Sequence, residues 1–340
     1  MINKIQLEEF LQIYNLLSQN IKNLYNKSFL ITGATGLIGS YWVEFLLFLN
    51  QEYNANIRIF ALSRKKENLE KRFPKQNNLI FLEQDLNTGL EINVKTDFII
   101  HAASNAHPIA FSINPVETMK TNLLGTMNLL ELARKNNSQF LFLSTGEIYG
   151  NNVDKAFVET DCGYVDTKLV RSCYPESKRC AETLCMAYKD EYKVNVNIAR
   201  LCYIYGAGIT DENSRADAQF LRNALNKENI VLKSEGSQKR SYCYIADCIS
   251  GQLFILLNAA GGEVFNISNP NSVISIKEYA QTLANLAGVE LKYEIPNKIE
   301  KKGFSKQADS ILSSEKLMKL GWQPLYDIIK GLNHTFYGRK

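Results

Sequence analysis

The stretch that decides the fold is Ser28-Phe29-Leu30-Ile31-Thr32-Gly33-Ala34-Thr35-Gly36-Leu37-Ile38-Gly39. A short apolar run is followed by glycines at every third position and then by apolar residues at helical spacing. Glycines let the backbone turn tightly and approach a pyrophosphate, which would lie at the positive N-terminus of the following helix. The pattern therefore predicts a dinucleotide-binding site, and a purely structural turn is the alternative. The residues assigned to it are Gly33, Thr35, Gly36, Leu37, Ile38 and Gly39.

Short apolar runs alternate with amphipathic segments as far as residue 200. The predicted strands after the first are 57–62, 79–82, 98–100, 140–143 and 196–200, and the two longest predicted helices are about 115–135 and 174–192. Strands that alternate with helices form a parallel sheet covered on both faces. The sequence therefore predicts an α/β fold of Rossmann type, with a doubly wound parallel sheet.

The patterns divide the chain into three parts. Residues 1–26 carry apolar residues at helical spacing and predict an N-terminal helical extension, packed on the body or on a partner subunit. Residues 27–205 form the predicted Rossmann domain, and 241–262 are expected to return to it. Residues 206–340 mainly form a smaller C-terminal α/β lobe, which would close over the carboxyl edge of the sheet, where a substrate would lie.

The bulk composition is that of a soluble globular protein, since 45% of the 340 residues are apolar and 22% are charged. The formal net charge of +4 neither favours nor excludes a nucleic-acid surface, and we expect no nucleic-acid partner. The sequence contains no run of about 18 apolar residues, so no membrane span is predicted. The seven cysteines are scattered and only three histidines are present, so a cytoplasmic location fits best and no metal site is expected.

The ends of the predicted strands indicate how a dinucleotide would bind. The second strand ends in Ser63 and Arg64, without the acid that usually bonds the adenosine ribose. These two residues could hold a 2′-phosphate, which favours NADP over NAD, although exposed charges at a helix start are an equal alternative. Asp85 and Leu86 lie where a carboxylate could accept a bond from adenine. The other residues assigned to the cofactor are Ala102, Ala103, Ser104, Asn122, Tyr174 and Lys178.

Tyr174 and Lys178 lie four residues apart at the start of a predicted helix, so that both side chains point to one face. A lysine beside a tyrosine favours the phenolate, which can take a proton from a hydroxyl group. Thr145 and Glu147 follow the fifth predicted strand at its carboxyl end, where they could share a substrate with Tyr174. The alternatives are a surface tyrosine–lysine pair, a loop threonine and a solvated glutamate.

These motifs together resemble the extended short-chain dehydrogenase/reductases, in the group of nucleotide-sugar epimerases, dehydratases and decarboxylases. The resemblance covers nearly all of residues 27–330. It rests on the glycine turn, Asp85, Ser144-Thr145-Gly146-Glu147-Ile148-Tyr149-Gly150 and Tyr174-x-x-x-Lys178. Residues 170–185 and 236–244 are most similar to UDP-glucuronate decarboxylases. The resemblance implies that Tyr174, Lys178, Thr145 and Glu147 are catalytic. The substrate-binding residues that it implies are Ser104, His107, Thr145, Glu147, Tyr203, Arg215 and Arg240.

The resemblance implies an NAD(P)-dependent enzyme that oxidises C4 of a nucleoside-diphosphate sugar and later returns the hydride. Tyr174 would take the proton of the 4-hydroxyl group, while Lys178 would lower the pKa of the tyrosine and hold the nicotinamide ribose. Arg240, with Arg215 as a second candidate, would bind the diphosphate. The 4-ketone would turn a C6 carboxylate into a β-keto acid that loses carbon dioxide. NAD is the cofactor that the resemblance implies, in contrast to the NADP that the second strand favours.

Three alternatives stay open. An NDP-sugar 4-epimerase needs the same residues and a pocket in which the sugar can rotate. A 4,6-dehydratase with an Asp-Glu pair would need an acid at Gly146 and is disfavoured, while a type that keeps Thr and Glu without the Asp stays possible. Tyr203 replaces an expected asparagine, and the loop around His107 departs from the decarboxylase pattern. A non-catalytic nucleotide-binding protein would be expected to lose a catalytic residue, and all are present.

The two long predicted helices carry apolar stripes. The resemblance implies that these stripes form a four-helix bundle in a homodimer. It also implies that the enzyme supplies precursors for a surface polysaccharide.

Overall fold

The structure is a computed structural model that describes residues 3–150, 155–210, 213–294 and 309–338. Within these ranges the strands are β1 (Ser28–Thr32), β2 (Arg58–Ser63), β3 (Leu79–Glu83), β4 (Phe98–His101), β5 (Gln139–Thr145), β6 (Val196–Leu201), β7 (Tyr203–Tyr205), β8 (Ile230–Leu232), β9 (Lys239–Tyr244), β10 (Val264–Ile267), β11 (Val273–Ser275) and β12 (Leu291–Tyr293). The α-helices are α1 (Lys4–Leu17), α2 (Leu37–Tyr53), α3 (Lys66–Arg72), α4 (Pro108–Ile113), α5 (Pro115–Asn136), α6 (Cys173–Tyr192), α7 (Ala216–Leu225), α8 (Ile245–Asn258), α9 (Ile276–Ala287), α10 (Glu315–Lys319) and α11 (Ile328–Gly338). No helix in these ranges is long and apolar enough to cross a membrane.

Seven strands form the central sheet, in the order β10-β6-β5-β4-β1-β2-β3, and each neighbouring pair is parallel. The direction of the strand order reverses between β1 and β4. In sheets of this kind, ligands bind at this point, beyond the carboxyl ends of the strands. The predicted Rossmann-type doubly wound sheet is confirmed, and the six predicted strands are present as β1 to β6. The seventh strand, β10, was not predicted.

Apolar side chains cover both faces of the sheet because the strands are buried between two layers of helices. On one face Phe29 and Ile31 of β1 pack with residues of α2 and α8. On the other face Leu30 packs with Leu129 of α5 and Cys185 of α6. Alternate residues of one strand thus belong to two separate cores, and each core holds its helices against one face of the sheet.

Two small sheets lie in the C-terminal part of the described chain. One has the order β11-β9-β7 and the other pairs β12 with β8. Arg240 of β9 also pairs with Ser310, which brings the segment near residue 310 against the small sheet. The predicted division into a Rossmann domain and a smaller lobe stays a prediction, and β10 lies just beyond the stretch 241–262 that was expected to return to the main sheet.

The N-terminal helix α1 packs on the body of the protein. Its N-cap is Asn3, whose side chain accepts a hydrogen bond from the Gln6 amide over 2.8 Å. Phe10 is fully buried and lies edge-on to Tyr41 of α2, with ring centroids 5.1 Å apart. Buried Glu9 accepts hydrogen bonds from the hydroxyl groups of Tyr41, over 2.8 Å, and Tyr244, over 2.5 Å. These contacts fasten α1 to α2 and β9.

Candidate active site

The glycine turn brings the start of α2 against the end of β4. Gly33 has a φ of 63°, a left-handed conformation that favours glycine, and a Cβ there would lie 2.9 Å from the backbone of Ala102. A Cβ at Gly39 would lie 2.3 Å from the carbonyl oxygen of Gly33. Gly36 is the N-cap of α2. The turn therefore needs glycine at 33 and 39 for close packing, and it presents a helix N-terminus that suits an anion.

A cleft of about 1400 Å³ runs along this edge of the sheet. Its size and its position at the strand-order reversal suit a dinucleotide. The predicted cofactor residues that line it are Gly33, Thr35, Gly36, Leu37, Ser63, Arg64, Asp85, Leu86, Ala102, Ala103 and Ser104. The other residues predicted to bind the cofactor lie outside this lining, namely Ile38, Gly39, Asn122, Tyr174 and Lys178.

Asn122 connects the loop after β4 to the start of α6. It is fully buried, accepts a hydrogen bond from the Ser104 hydroxyl over 2.8 Å and donates one to the Ser177 hydroxyl over 2.9 Å. Ser177 in turn donates to the carbonyl oxygen of Cys173. Asn122 therefore holds Ser104, which lines the cleft, in a fixed relation to the helix that carries Tyr174.

The end of the cleft at β2 has more cations than acids. Ser63 is half-buried and Arg64 is exposed, with its Nη1 4.0 Å from Glu117. The side chain of Glu83, which ends β3, accepts a hydrogen bond from the Lys66 amide over 2.7 Å. Lys65, Lys71 and Arg72 also line this end. The acid expected at the end of β2 is thus absent, and the neighbouring carboxylate of Glu83 already has a partner.

One face of α6 carries Tyr174, Lys178 and Glu182, because residues four apart lie above each other on a helix. Tyr174 is only 4% exposed, and its ring stacks on that of Phe111 with centroids 5.3 Å apart. Lys178 is buried and its Nζ donates a hydrogen bond to the carbonyl oxygen of Leu143 over 2.7 Å. The predicted pair therefore lies inside the protein and not on its surface.

Burial determines the protonation of this pair. Burial raises the pKa of Tyr174 to about 12; Arg215 opposes this rise, Glu147 adds to it, and a hydrogen bond with Thr145 and the charge of Arg171 also oppose it. Burial lowers the pKa of Lys178 to about 8, while the charge of Glu182 opposes this change. The largest effect that favours the phenolate in this structure is thus that of Arg215, whereas the sequence argument gave this role to Lys178.

Glu147 lies in the short 3₁₀ turn Gly146–Tyr149, directly after β5. The Thr145 hydroxyl, which caps this turn, accepts a hydrogen bond from the Glu147 amide over 3.3 Å. The Glu147 carboxylate faces Arg171, with Nη1 3.1 Å from Oε2 and Nη2 3.3 Å from Oε1. Only the Nη2–Oε1 contact is a hydrogen bond, so the pair is held by one hydrogen bond and by its opposite charges.

A small cavity joins residues from both parts of the chain. Its predicted members are Thr145, Glu147, Tyr203 and Arg215, and its further lining residues are Gly146, Leu201, Cys202, Ser310 and Leu312. Ser310 and Leu312 reach the cavity because the backbone of Ser241 pairs with that of Ser310. No local pattern indicates these two residues, because the backbone pairing that places them spans about 70 residues of the chain.

Two predicted substrate residues lie next to this cavity and not in its lining. Arg240 is 4% exposed and its guanidinium lies 5.6 Å from the ring centroid of Tyr203. His107 shares a hydrogen bond with the hydroxyl group of Ser214 over 3.1 Å. Ser214 directly precedes Arg215, so that the loop of His107 is joined to the segment that carries this arginine.

A buried ion pair links the strands and the helix that carry the site residues. Arg200 of β6 donates to Glu182 of α6, with Nη2 2.7 Å from Oε2. The side chains are 11% and 9% exposed. Ser144, one residue before Thr145, donates to the same carboxylate over 2.5 Å. The pair therefore links the ends of β5 and β6 to the helix of Tyr174 and Lys178.

The arrangement can move a proton and hold an anion. The Tyr174 phenol lies close to the Thr145 hydroxyl group and the Glu147 carboxylate, both of which affect its pKa. Arg171, Arg215 and Arg240 surround this group with positive charge. Within the described ranges, no group of three or more His, Cys, Asp or Glu side chains could hold a metal ion.

Comparisons with known proteins agree with this architecture. Residues 29–268 match the NAD dependent epimerase/dehydratase family. UDP-glucuronic acid decarboxylase 3 of Arabidopsis thaliana is 32% identical over 90% of this chain and 87% of its own length. UDP-glucuronic acid decarboxylase 1 of Danio rerio is 32% identical over 91% of this chain and 72% of its own length. The crystal structure of UDP-glucose 4-epimerase from Thermotoga maritima has a TM-score of 0.76 at 24% identity and covers 92% of this chain and 99% of its own.

The matched region begins in β1 and ends just after β10, so it contains the whole central sheet, the glycine turn and the helix of Tyr174 and Lys178. The resemblance found in the sequence motifs is confirmed by this match and by the decarboxylase relatives. The chain belongs to the NAD dependent epimerase/dehydratase family.

Proposed function

We propose that the protein is an NAD(P)-dependent enzyme that modifies a nucleoside-diphosphate sugar through transient oxidation at C4, with decarboxylation of UDP-glucuronate as its leading reaction. The observation that carries the proposal is the grouping of Tyr174, Thr145, Glu147 and Arg215 at the edge of the sheet where the glycine turn lies. The decarboxylase relatives, which match over nine-tenths of the chain, support the choice of substrate.

The residues of the cleft fit a dinucleotide. The backbone of the glycine turn lies where a Cβ at Gly33 would clash with Ala102, and α2 points its N-terminus at the cleft. Asp85 and Ser104 line the same cleft and can accept hydrogen bonds from the adenine and ribose groups. When bound, an oxidised nicotinamide cofactor supplies the acceptor for the hydride from C4 of the sugar, together with a positive charge.

Tyr174 is the base of the first step. Its phenolate takes the proton of the sugar 4-hydroxyl group as the C4 hydrogen leaves as a hydride. Thr145 donates a hydrogen bond to the same oxygen and holds it in place. Lys178, which is bonded to the carbonyl oxygen of Leu143, lies one helical turn from Tyr174 and can hold the ribose of the cofactor.

Loss of carbon dioxide follows from the ketone. A ketone at C4 makes the C6 carboxylate a β-keto acid. When the C5–C6 bond breaks, its electron pair forms an enolate over C5 and the C4 oxygen, and carbon dioxide leaves. C5 then receives a proton, which Glu147 can deliver from a water molecule. Return of the hydride to C4 and of the proton from Tyr174 to the oxygen gives a UDP-pentose.

The test is incubation of the purified protein with UDP-glucuronate, with carbon dioxide and the sugar product measured. We expect carbon dioxide and a UDP-pentose in equal amounts. Tyr174→Phe should lower the rate by about 10²- to 10⁴-fold. The matched control is Tyr192→Phe on the same helix, where the side chain is 44% exposed, and it should leave the rate unchanged. A Tyr174→Phe enzyme with full turnover would refute the assignment.

Epimerisation at C4 is the second candidate, because it uses Tyr174 and Thr145 in the same way. UDP-glucose converted to its C4 epimer, without carbon dioxide from UDP-glucuronate, would favour it.

A 4,6-dehydratase with an Asp-Glu pair is disfavoured by space as well as by sequence. A Cβ at Gly146 would lie 2.9 Å from Cδ1 of Leu312, so that an aspartate there requires a shift of the Leu312 side chain. A non-catalytic nucleotide-binding protein would show no turnover of any of these sugars.

NAD and NADP differ only at the 2′-position, which lies at the end of β2. NAD is the cofactor of the family, and the cations around Ser63 and Arg64 favour a 2′-phosphate. Calorimetry with both cofactors decides between them. If Arg64 binds the phosphate, Arg64→Gln should weaken NADP binding and leave NAD binding unchanged, and an equal effect on both cofactors would show that Arg64 is only a surface charge.

The domain division also belongs to this proposal. Residues 27–205, with 241–262, would hold the cofactor, and 206–340 would mainly hold the nucleotide sugar, with 1–26 as an extension. Arg215 and Arg240 in the second part support this division, since they lie around Tyr203 beside the small cavity.

We place the reaction in the cytoplasm, as a supply of polysaccharide precursors. Neither a nucleic acid nor a membrane is among the proposed partners.

We infer a homodimer through a four-helix bundle of α5 and α6 from both subunits. Along α5 an exposed apolar stripe includes Val116, Met119, Leu124 and Met127, with exposed fractions of 66%, 38%, 38% and 39%. These positions lie on one face of the helix and support a partner there. Sedimentation should give twice the mass of one chain, and Met127→Lys should halve it. Met318→Lys, at a 38% exposed position elsewhere, is the control.

A further inference from the structure

We propose that Arg171 recognises the C6 carboxylate of an acidic sugar and so makes the site selective for nucleoside-diphosphate hexuronates. This inference rests on the proposed function, because it assumes a sugar whose C4 lies at Tyr174. Arg171 lies in the short turn Val170–Ser172 just before α6, within the stretch 170–185 that resembles the decarboxylases, but the sequence assigned it no role. Its place in the structure carries the argument.

Arg171 lies within the catalytic group and already binds a carboxylate there. Its Nη1 is 3.1 Å from Oε2 of Glu147, and its Nη2 donates to Oε1 over 3.3 Å. The guanidinium lies 5.6 Å from the ring centroid of Phe111, and the same ring stacks on Tyr174. Arg171 is also close enough to Tyr174 for its charge to oppose the rise in the pKa of the phenol. Only the Nη2 contact is a hydrogen bond, because Oε2 of Glu147 has no hydrogen-bond partner. A guanidinium has further donors that can bind a second carboxylate.

The contact with Glu147 does not use the whole guanidinium. Nε of Arg171 is buried and has no hydrogen-bond partner among the described residues. A buried donor without an acceptor is costly, and an anion in the site would satisfy it. With the C4 oxygen held by Thr145 and Tyr174, the proposal places C5 and C6 of the sugar on the side of Glu147, two residues beyond Thr145. A carboxylate at C6 would therefore approach the Glu147–Arg171 pair.

The distribution of charge in the site also supports the binding of a C6 carboxylate by Arg171. A nucleoside-diphosphate hexuronate carries the charge of its diphosphate and one more on C6. Arg240 and Arg215 are the candidates for the diphosphate, and Arg215 is also close to the carboxylate of Asp217. Glu147 would repel a second carboxylate, so an acidic sugar needs Arg171 to face it. A neutral hexose makes no such demand and leaves the Glu147–Arg171 pair intact.

The experiment compares the affinities of UDP-glucuronate, UDP-glucose and UDP for cofactor-loaded protein, by calorimetry. Arg171→Gln should weaken UDP-glucuronate at least tenfold, equivalent to about 1.4 kcal/mol, and UDP-glucose and UDP less than twofold. Arg171→Lys should lie between the wild type and Arg171→Gln, because lysine keeps the charge and loses the fork. Arg134→Gln is the matched control, since Arg134 pairs with Glu131 on the exposed face of α5. UDP binding also reports that each variant is folded.

Glu147→Gln is a second test that does not touch Arg171. Removal of the Glu147 charge should tighten UDP-glucuronate binding relative to that of UDP-glucose, because the repulsion is lost and Arg171 is free to face the substrate. A merely structural role of Arg171 predicts instead that Arg171→Gln weakens all three ligands equally. That result, or unchanged UDP-glucuronate binding by Arg171→Gln, would overturn the inference.

The outcomes for the inference and for the reaction differ. Carbon dioxide release by the wild type, with no selective loss in Arg171→Gln, leaves decarboxylation standing and removes the role of Arg171. A selective loss of UDP-glucuronate binding without carbon dioxide release supports the inference and refutes decarboxylation. A wild type that binds UDP-glucuronate no better than UDP-glucose overturns the inference, while the absence of carbon dioxide release refutes decarboxylation.

Discussion

Glu182→Gln removes one charge from the buried ion pair below the active site, and its effect can be worked out from the contacts. Glu182 accepts from Nη2 of Arg200 over 2.7 Å and from Nε over 3.1 Å, and both side chains are almost fully enclosed. It also accepts from Ser144 and opposes the loss of the proton from Lys178. The substitution therefore acts on stability and on catalysis at once.

The expected loss of stability is about 3 kcal/mol. Removal of one partner of a buried ion pair costs about 3–5 kcal/mol, because the other charge stays buried without compensation. Arg200 keeps two acceptors, the Tyr149 hydroxyl at 3.0 Å and the Glu159 carbonyl oxygen at 2.7 Å, which places the loss near the lower value. A domain that is stable by about 5–15 kcal/mol would still fold. Loss of the Glu182 charge should also lower the pKa of Lys178 below about 8.

Urea unfolding at neutral pH measures the first effect, and the pH profile of kcat measures the second. If turnover needs the protonated Lys178, the decline of kcat at alkaline pH should begin at a lower pH in Glu182→Gln. The matched control is Glu176→Gln on the same helix, which breaks a more exposed pair with Arg179 and should cost less than about 1 kcal/mol. The double variant Glu182→Leu/Arg200→Met should be more stable than Glu182→Gln alone, since it leaves no unpaired charge. A Glu182→Gln protein within about 1 kcal/mol of the wild type would refute the reasoning.

Three further outcomes are expected. Gly146→Ala should cost about 1–3 kcal/mol of unfolding free energy, because its Cβ would lie 2.9 Å from Leu312, and the cost should fall in a Leu312→Ala background; urea titrations with equal costs in both backgrounds would contradict this. Arg215→Gln should raise the pKa of Tyr174 and move the rising limb of the kcat–pH profile to higher pH, so an unchanged limb counts against Arg215 as the main charge. Phe10→Ala should cost about 3–5 kcal/mol in urea, since Phe10 is fully buried, and a loss below about 1 kcal/mol would show that α1 adds little.

The sheet could be predicted from the sequence because its strands are buried on both faces and read as continuous apolar runs. β10 could not be predicted in the same way. It has only four residues, and Asn266 interrupts its apolar character. The Asn266 side chain is nevertheless buried, since it accepts from the Tyr149 hydroxyl over 2.6 Å and donates to the carbonyl oxygen of Phe157 over 3.0 Å. Long-range partners of this kind are invisible to a local pattern.

The residues of the active site also fall into those that a local pattern predicts and those that only the fold places. Thr145, Glu147 and Tyr174 follow strand ends or begin helices, and such positions are predictable from local pattern. Arg171 lies in a 3₁₀ turn without periodicity, and only the fold brings it to Glu147. Ser310 reaches the cavity through backbone pairing with β9, which no side-chain pattern encodes. Local motifs thus predict the groups that react, and long-range pairing determines the groups that surround them.

Tyr174 and Lys178 show why the surrounding charges decide the chemistry. A pKa of about 12 for the phenol lies five units above neutral pH, so the phenolate costs about 7 kcal/mol at pH 7 in this structure. The same burial makes each added positive charge more effective, because few water molecules screen it. An oxidised nicotinamide cofactor bound beside Tyr174 should therefore lower its pKa. The measurement is the tyrosinate absorbance of the wild type minus that of Tyr174→Phe, titrated against pH with and without NAD. We expect the difference curve to move to lower pH with NAD, and an unmoved curve would show that the cofactor charge does not reach the phenol.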